Sequence, residues 1–461
     1  MIAHIPRRFT IGAATAALQI EGDVPGRGRS TWDTFAARPG RILDGSTPAV
    51  TADHVNRMTE DVELLRELGV DSYRFSLSWP RIQPTGSGAA SREGLAFYDR
   101  LIDALLDAGI RPMVTLYHWD TPEPLQAAGG WMSRDTAKRL GDFAAVAARA
   151  FGDRVDAWLT INEPATVTLN GYALGVHAPG LELLFDALPA AHHQLLGHGY
   201  AVQALRSAGV SGGIGITNVH SPVVPARRRV ADRYFARIFD LVHNRIYADP
   251  VLLGRYPKPP LGSGSLFRAL TEVDADDLAL IHQPLDFYGL NYYMPTRIRA
   301  GASASTETPD GEAEAMRRVP FSLEPFPEHE QTGFGWPIAP EYLAVAFAEL
   351  AERYGDALPP IYLTESGASF PDARGADGAV HDEQRRAYLA DHLAVALRGA
   401  PGVDVRGFYA WSLLDNWEWA AGFTQRFGLV HVDFDTLERT PKDSYRWLQA
   451  LLAARGGSLD E

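Results

Sequence analysis

Cysteine is absent from this 461-residue chain. Disulfides, thiolate nucleophiles and cysteine-ligated metals are therefore excluded, while the redox compartment is left open. Long apolar runs are missing too, and no stretch approaches the about 20 residues that a membrane-spanning helix needs. Basic excess is lacking: 43 Lys+Arg stand against 57 Asp+Glu, a formal net charge of -14. That balance speaks against nucleic acid and against a basic membrane-docking face, and it favours a neutral ligand. Neither the phosphate-loop pattern nor the dinucleotide glycine pattern occurs in a strand-to-helix context, so no cofactor is expected. His192, His193 and His198 lack the i,i+4 spacing with an intervening glutamate, and no metal is expected.

What is present is an ordinary globular composition, 46% hydrophobic and 22% charged, with material for a large core. Length alone suggests about three domains, but no linker interrupts the chain, and barrels with insertions exceed 400 residues as one unit. A short apolar strand, a loop and an amphipathic helix alternate repeatedly, which is the grammar of a parallel sheet. Strands are predicted at Phe9 to Ala16, Asp71 to Leu77, Arg111 to Tyr117 and Ala157 to Ile161. The series continues at Gly213 to Thr217, Asp286 to Leu290, Ile361 to Thr364 and Val405 to Trp411. Eight such strands close a barrel. The fold expected is α/β, a single (β/α)8 TIM barrel with long βα loops spanning residues 1–461. Helical patterns fill the intervals, at Ala52 to Leu68, Gly94 to Ala108, Arg134 to Phe151, Phe185 to Ala208, Arg233 to Ala248, Pro340 to Tyr354 and Asp382 to Leu397. Residues 300–335, rich in Gly, Ser, Thr, Glu and Pro, read as a long mobile loop after the sixth strand, and residues 36–52 as a shorter one after the first.

Arg7-Arg8 followed by the mild apolar run Phe9 to Ile20 imitates a twin-arginine export signal. Thr10, Thr15 and Gln19 interrupt that run, and a first strand is the expectation instead. The segment is then retained, and a cytoplasmic protein is expected.

Chemistry gathers at the strand ends. Gln19, Arg74, His118-Trp119, Asn162-Glu163, Asn291 with Tyr293, Glu365 and Trp411 all fall at or just beyond them, where barrel enzymes build their sites. Carboxylates do bond chemistry, amides and imidazoles exchange hydrogen bonds with hydroxyls, and indole faces cover the carbon-rich face of a sugar. Glu163 and Glu365 each end a β-rich run, at Asn162-Glu163-Pro164 and Glu365-Ser366-Gly367.

With these residues in order, the chain resembles the family 1 glycoside hydrolases, the β-glucosidases of the (β/α)8 barrel class. The resemblance runs nearly end to end. It is carried by Phe9 to Gly22, Tyr73 to Arg81, Leu116 to Pro122, Asn162-Glu163-Pro164, Gly171-Tyr172 and His177-Ala178-Pro179-Gly180. It continues through Tyr288 to Tyr293, Thr364-Glu365, Trp411 to Trp419, Arg426 to Val430 and Arg439 to Ser444. The resemblance implies that Glu163 is the acid/base and Glu365 the nucleophile of a retaining, exo-acting β-glucosidase. Its implied substrates are β-glucosides or cello-oligosaccharides, with β-galactosidase or β-fucosidase side activity and transglycosylation. It puts Gln19, His118, Trp119, Asn162, Glu418 and Trp419 on the sugar, with Trp411 as the pocket floor. Arg74, Asn291 and Tyr293 surround the nucleophile, Trp336 lines the aglycone side and Phe427 closes the glycone side. One departure stands beside the nucleophile, where Ser366 replaces the family's usual Asn; Ile161 before Asn162 is a mild packing variation.

Two other readings compete. A catalytically silent sugar-binding protein on the same scaffold should have lost a carboxylate, and both survive. A 6-phospho-β-glycosidase should offer cations near the sugar O6, where the resemblance puts Glu418. Trp79, Trp158 and Trp417 read as packing residues, and Glu21, Asp120 and Asp415 as structural partners of Arg or backbone groups.

Overall fold

The computed structural model describes residues 5–23, 26–301 and 315–455. Eight parallel strands close into a barrel: β1 (Thr10–Ala14), β2 (Ser72–Ser76), β3 (Arg111–Tyr117), β4 (Ala157–Asn162), β5 (Gly213–Val219), β6 (Tyr288–Asn291), β7 (Ile361–Ser366) and β8 (Val405–Trp411). Each strand pairs with its neighbours in the chain, and β1 closes on β8 with Ala14 opposite Trp411. All eight predicted strands form, within a few residues of their expected ends.

The helices between strands present one apolar stripe to the barrel. In Arg92–Asp107 the buried residues Phe97, Tyr98, Leu101, Ile102 and Leu105 recur at helical spacing, and Ser91 caps the helix by accepting from the Gly94 amide at 3.1 Å. The predicted helix over 233–248 is longer and interrupted: Val230–Asp240 and Ile246–Leu253 are α-helical, joined by a π-helical stretch at Leu241–Arg245. A second π-helical stretch, Val167–Ala173, follows β4. Two further helices, Ala275–Ile281 and Asp443–Arg455, complete the outer layer.

The barrel interior is packed solid by large residues set against glycines. A Cβ at Gly12 would lie 2.3 Å from the Tyr409 ring, and one at Gly215 would lie 2.7 Å from the Phe287 ring. These close approaches let aromatic side chains cross the barrel where a β-branched residue would clash. Trp79, Trp158 and Trp417 are fully buried, in line with their reading as packing residues.

The segment after β6 differs from its expected form as one long mobile loop. Thr296–Ala300 pairs antiparallel with Phe321–Glu324 and parallel with Val223–Pro225, making a small three-stranded sheet beyond the barrel mouth. Alternation explains it: Ile298 and Phe321 are buried, and Arg299 faces Glu324 at 2.7 Å. The Gly, Ser and Pro content of the surrounding stretch hides this short pattern. Residues 302–314 of the expected loop lie outside the described residues.

The first strand is part of the barrel, as predicted. The last helix ties it down: Arg455 donates to the backbone oxygens of Pro6, Arg7 and Phe9 and pairs with Asp71 at 2.7 Å, while Asp71 accepts from the Ile11 amide at 2.8 Å. No helix among the described residues is long and apolar enough to cross a membrane.

Candidate active site

The C-terminal ends of the strands converge on one cavity of about 240 Å³. Glu163 and Glu365 both line it, with His118, Trp119, Tyr293, Trp336, Trp411, Glu418, Trp419 and Phe427. Local irregularity aims the carboxylates. Strand register slips between Leu159 and Asn162 in β4, and between Leu363 and Glu365 in β7, as bulges commonly do where a side chain must be re-aimed. Glu163 has φ 45, and Trp119 and Trp419 have φ 73 and φ 50. Non-glycine residues held in this left-handed region cluster at functional sites, because only surrounding packing keeps them there.

A hydrogen-bonded chain joins the two glutamates. Asn291 Nδ2 donates to Glu163 Oε1 at 2.6 Å and to Asn162 Oδ1 at 3.1 Å. Arg74 donates to the same Asn162 oxygen at 2.7 Å and pairs directly with Glu365. Tyr293 donates to the other Glu365 oxygen at 2.5 Å, and Thr166 donates to Glu163 at 2.8 Å. Arg74, Asn162 and Asn291 therefore sit in the layer behind the cavity wall, where they hold the carboxylates. Thr166 was not singled out from the sequence; its position three residues beyond a strand-end glutamate is the signal that could have found it.

Three carboxyls share this site with one buried guanidinium, and their environments differ. Burial, and after it the charge of Glu365, pushes Glu163 up to about 7 against the bonds from Asn291 and Thr166. Burial pushes Glu418 up to about 8, with Gln19 opposing. Burial also raises Glu365, and Arg74 and Tyr293 offset only part of that rise. Arg74 is 1% exposed, so its guanidinium requires an anion in contact, and Glu365 is the carboxylate it touches. The site therefore holds one carboxylate anionic beside another that is half protonated near neutrality.

The remaining walls suit a hydroxylated ring. His118 Nε2 lies 3.0 Å from Asn162 Nδ2, a group that can only donate. Burial holds the imidazole well below its ordinary range. His118 is therefore neutral with its proton on Nδ1, an atom that is buried and has no partner. Gln19 is fully buried behind Glu418, donating to Glu418 Oε2 at 3.1 Å and to Asn416 Oδ1 at 2.9 Å, with Oε1 unpaired. One buried donor and one buried acceptor are thus left for a ligand. Aromatic faces frame them: the His118 ring stacks on Trp411 and Trp419 at 5.9 and 6.0 Å, and Trp119 lies 4.5 Å from Trp419. On the opposite side Trp336 stacks on Phe334 at 4.7 Å and an interplanar angle of 9°. Phe334 is a second lining residue that sequence reading passed over, although it stands two positions from Trp336.

Residues read as structural behave so. Glu21 accepts from Arg81 and Tyr98, each at 2.7 Å. Asp415 is paired with Lys442 and Arg426, each at 2.7 Å, and Asp120 accepts from the Trp79 amide at 3.0 Å. His198 bonds to Thr160, His192 to Asp277 and Tyr256, and His193 to the Trp131 carbonyl. Ser366 is buried within 3.5 Å of the Tyr388 hydroxyl.

The model of the family described as Glycosyl hydrolase family 1 matches residues 1–457. The chain belongs to glycosyl hydrolase family 1. It is 42% identical over 454 residues to Beta-glucosidase A of Acetivibrio thermocellus, an alignment that covers 98% of each chain. It is 40% identical over 474 residues to the bifunctional beta-D-glucosidase/beta-D-fucosidase of Bifidobacterium breve, with 98% of this chain and 99% of that one covered. The solved structure of the beta-glucosidase from Thermotoga maritima in complex with deoxynojirimycin superimposes with a TM-score of 0.90 at 38% identity, covering 100% of both chains. Family 1 membership bears out the resemblance drawn from the motifs, and the closed parallel barrel bears out the (β/α)8 fold.

Proposed function

We propose that this family 1 hydrolase is a retaining, exo-acting β-glucosidase that removes terminal non-reducing β-D-glucosyl residues. The observation that carries the proposal is the unlike pair of buried carboxyls: Glu365 on Arg74, and Glu163 pushed up to about 7. In the first step Glu365 attacks the anomeric carbon, the bond to the leaving oxygen breaks, and Glu163 gives that oxygen its proton. In the second step Glu163 takes a proton from water, which attacks the same carbon and releases Glu365. Two inversions give net retention. Esterification of Glu365 removes its charge, one of the causes that raise Glu163, so Glu163 becomes ready to act as a base when a base is needed.

His118, Gln19 and a protonated Glu418 hold the glycone hydroxyls, Trp411 and Trp419 cover the ring faces, and Trp336 meets the aglycone. Asn162 and Asn291, from behind the wall, keep the carboxylates in register. The unphosphorylated sugar is favoured over a 6-phosphoglycoside because no lysine or arginine lines the cavity among the described residues. The silent sugar-binding alternative is disfavoured by the intact carboxyl pair and its guanidinium. Fucosidase side activity is part of the proposal, since a neutral Glu418 tolerates loss of a partner hydroxyl better than an anion would. Residues 1–461 are read as one catalytic unit, retained through Gln19 and working in the cytoplasm.

The test is turnover of 4-nitrophenyl β-D-glucoside with the anomeric proton followed by NMR. β-Glucose is expected first, relaxing later to the equilibrium mixture. α-Glucose appearing first would refute retention, and a folded protein that binds glucose without turnover would establish the silent reading.

A further inference from the structure

The cavity does not stop at the two carboxylates and their aromatic walls. It continues into an arm bounded by Leu169, Leu184, Phe185, Val219, Phe239 and Phe321. These side chains come from separate apolar clusters, one packed on Leu188 and Ile246, the other on Ile298 and Leu174, and the arm runs between them. Both π-helical stretches noted above contribute to its wall, Leu169 from Val167–Ala173 and Val242 from Leu241–Arg245. Wide helical turns of this kind are energetically poor and recur where a helix must open around a ligand.

The arm's polar side chains are mostly engaged with other protein groups. Thr168 Oγ1 donates to the Pro164 carbonyl at 2.8 Å and accepts from Gln194 at 2.9 Å. Ser221 Oγ lies 2.6 Å from Thr296 Oγ1 and 2.8 Å from the Met294 carbonyl. His243 bonds to Asn244 at 2.9 Å. Asn170 adds one amide to the wall. The contrast with the glycone side is chemical: there, His118 Nδ1 and Gln19 Oε1 are buried without partners. A second sugar ring in the arm would lose water from its hydroxyls and find few groups to replace it. An apolar group would lose nothing and gain burial.

Position says which end of a substrate enters. The arm opens beside Glu163: Thr166, which bonds Glu163, lies in its wall, and the π-helical stretch follows directly in the chain. The group that protonates the leaving oxygen stands on the leaving-group side. We infer that the arm is an aglycone site for an extended apolar group, so that the preferred substrates are β-glucosides of hydrophobic alcohols, alkyl or fused-ring, rather than cello-oligosaccharides. This inference rests on the β-glucosidase reading above and adds the substrate class.

The experiment is a series of alkyl β-D-glucosides from methyl through butyl and hexyl to octyl, below their micelle concentrations, with cellobiose alongside. Each methylene that enters the arm should raise kcat/KM by up to about fourfold, mainly through KM. Octyl glucoside should then exceed cellobiose by at least tenfold. In Leu169→Gln and, as a smaller change, Val219→Thr, the ratio of octyl to methyl kcat/KM should fall, by about tenfold and a few-fold. The ratio is internal to each variant, so partial loss of fold does not mimic the effect. A flat or falling alkyl series in wild-type enzyme that does hydrolyse methyl glucoside would overturn the aglycone inference and leave the glucosidase reading standing. Failure to hydrolyse any member would overturn both.

Discussion

In the proposed mechanism Glu163 is the residue on which the chemistry turns, because its proton must be present for one step and absent for the next. Held near 7 by burial and by Glu365, it should give kcat/KM an alkaline limb that falls as pH rises through about 7. Glu365→Gln removes the neighbouring charge while leaving the burial, so Glu163 should titrate at lower pH in that variant, as followed by ¹³C NMR of labelled glutamate. An unmoved titration would mean that the two carboxyls do not sense each other. Stability carries the same signature. A carboxyl raised above its unfolded value of about 4.3 binds its proton more tightly in the folded state, so its contribution is complete below that value and is lost as pH rises through about 7. Glu163→Gln should therefore raise Tm relative to wild type at pH 8, by the equivalent of about 1–3 kcal/mol, and change it little at pH 4. Catalytically, Glu163→Ala should cost far less with a dinitrophenyl glucoside, whose leaving group needs little protonation, than with cellobiose. Azide should restore turnover of the activated substrate as β-glucosyl azide; an α-azide, or equal losses for both substrates without rescue, would remove Glu163 from its role.

Among the elements, the strands were legible and the mouth of the barrel was not. Each barrel strand is a short β-branched or aromatic run bounded by turn residues, and all eight occur where that pattern puts them. The carboxylates were legible for the same reason, since they end such runs. The register slips before Asn162 and Glu365 left no trace in the sequence, because a bulge is fixed by pairing with a neighbour that local pattern does not see. The small sheet formed by Val223–Pro225, Thr296–Ala300 and Phe321–Glu324 was hidden likewise: its strands are three to five residues long, too short for periodicity to declare. The layer role of Asn162 and Asn291 also needed coordinates, since sequence gives a strand end but not which side chain reaches the ligand. Barrel packing gives the element-scale prediction. Gly12→Ala sets a methyl 2.3 Å from the Tyr409 ring, so it should lower stability by about 1–3 kcal/mol in urea denaturation. A wild-type midpoint would show that the ring yields freely.

At the scale of the whole molecule, the first segment is held both by the cavity wall and by the last helix. Gln19 reaches Glu418 across 399 positions of sequence, and Arg455 holds the backbone of Pro6, Arg7 and Phe9. Composition could exclude partners but could not reveal this closure, which depends on β1 meeting β8. A chain beginning beyond residue 20 should fail to bind glucose and to melt cooperatively, as read by calorimetry with and without sugar; a truncated but active enzyme would contradict both the barrel closure and the retained N-terminal segment. The central claim, that Glu365 forms the covalent bond to the sugar, is tested most directly by Glu365→Gly with α-D-glucosyl fluoride and an aryl glucoside as acceptor. The fluoride occupies the face that Glu365 uses, so it stands in for the glycosyl-enzyme, and the folded variant should join donor and acceptor through a new β-linkage. Its hydrolysis of β-glucosides should fall by more than about 1,000-fold. Hydrolysis near the wild-type rate, or a folded variant that makes no β-linked product from the fluoride, would contradict the account.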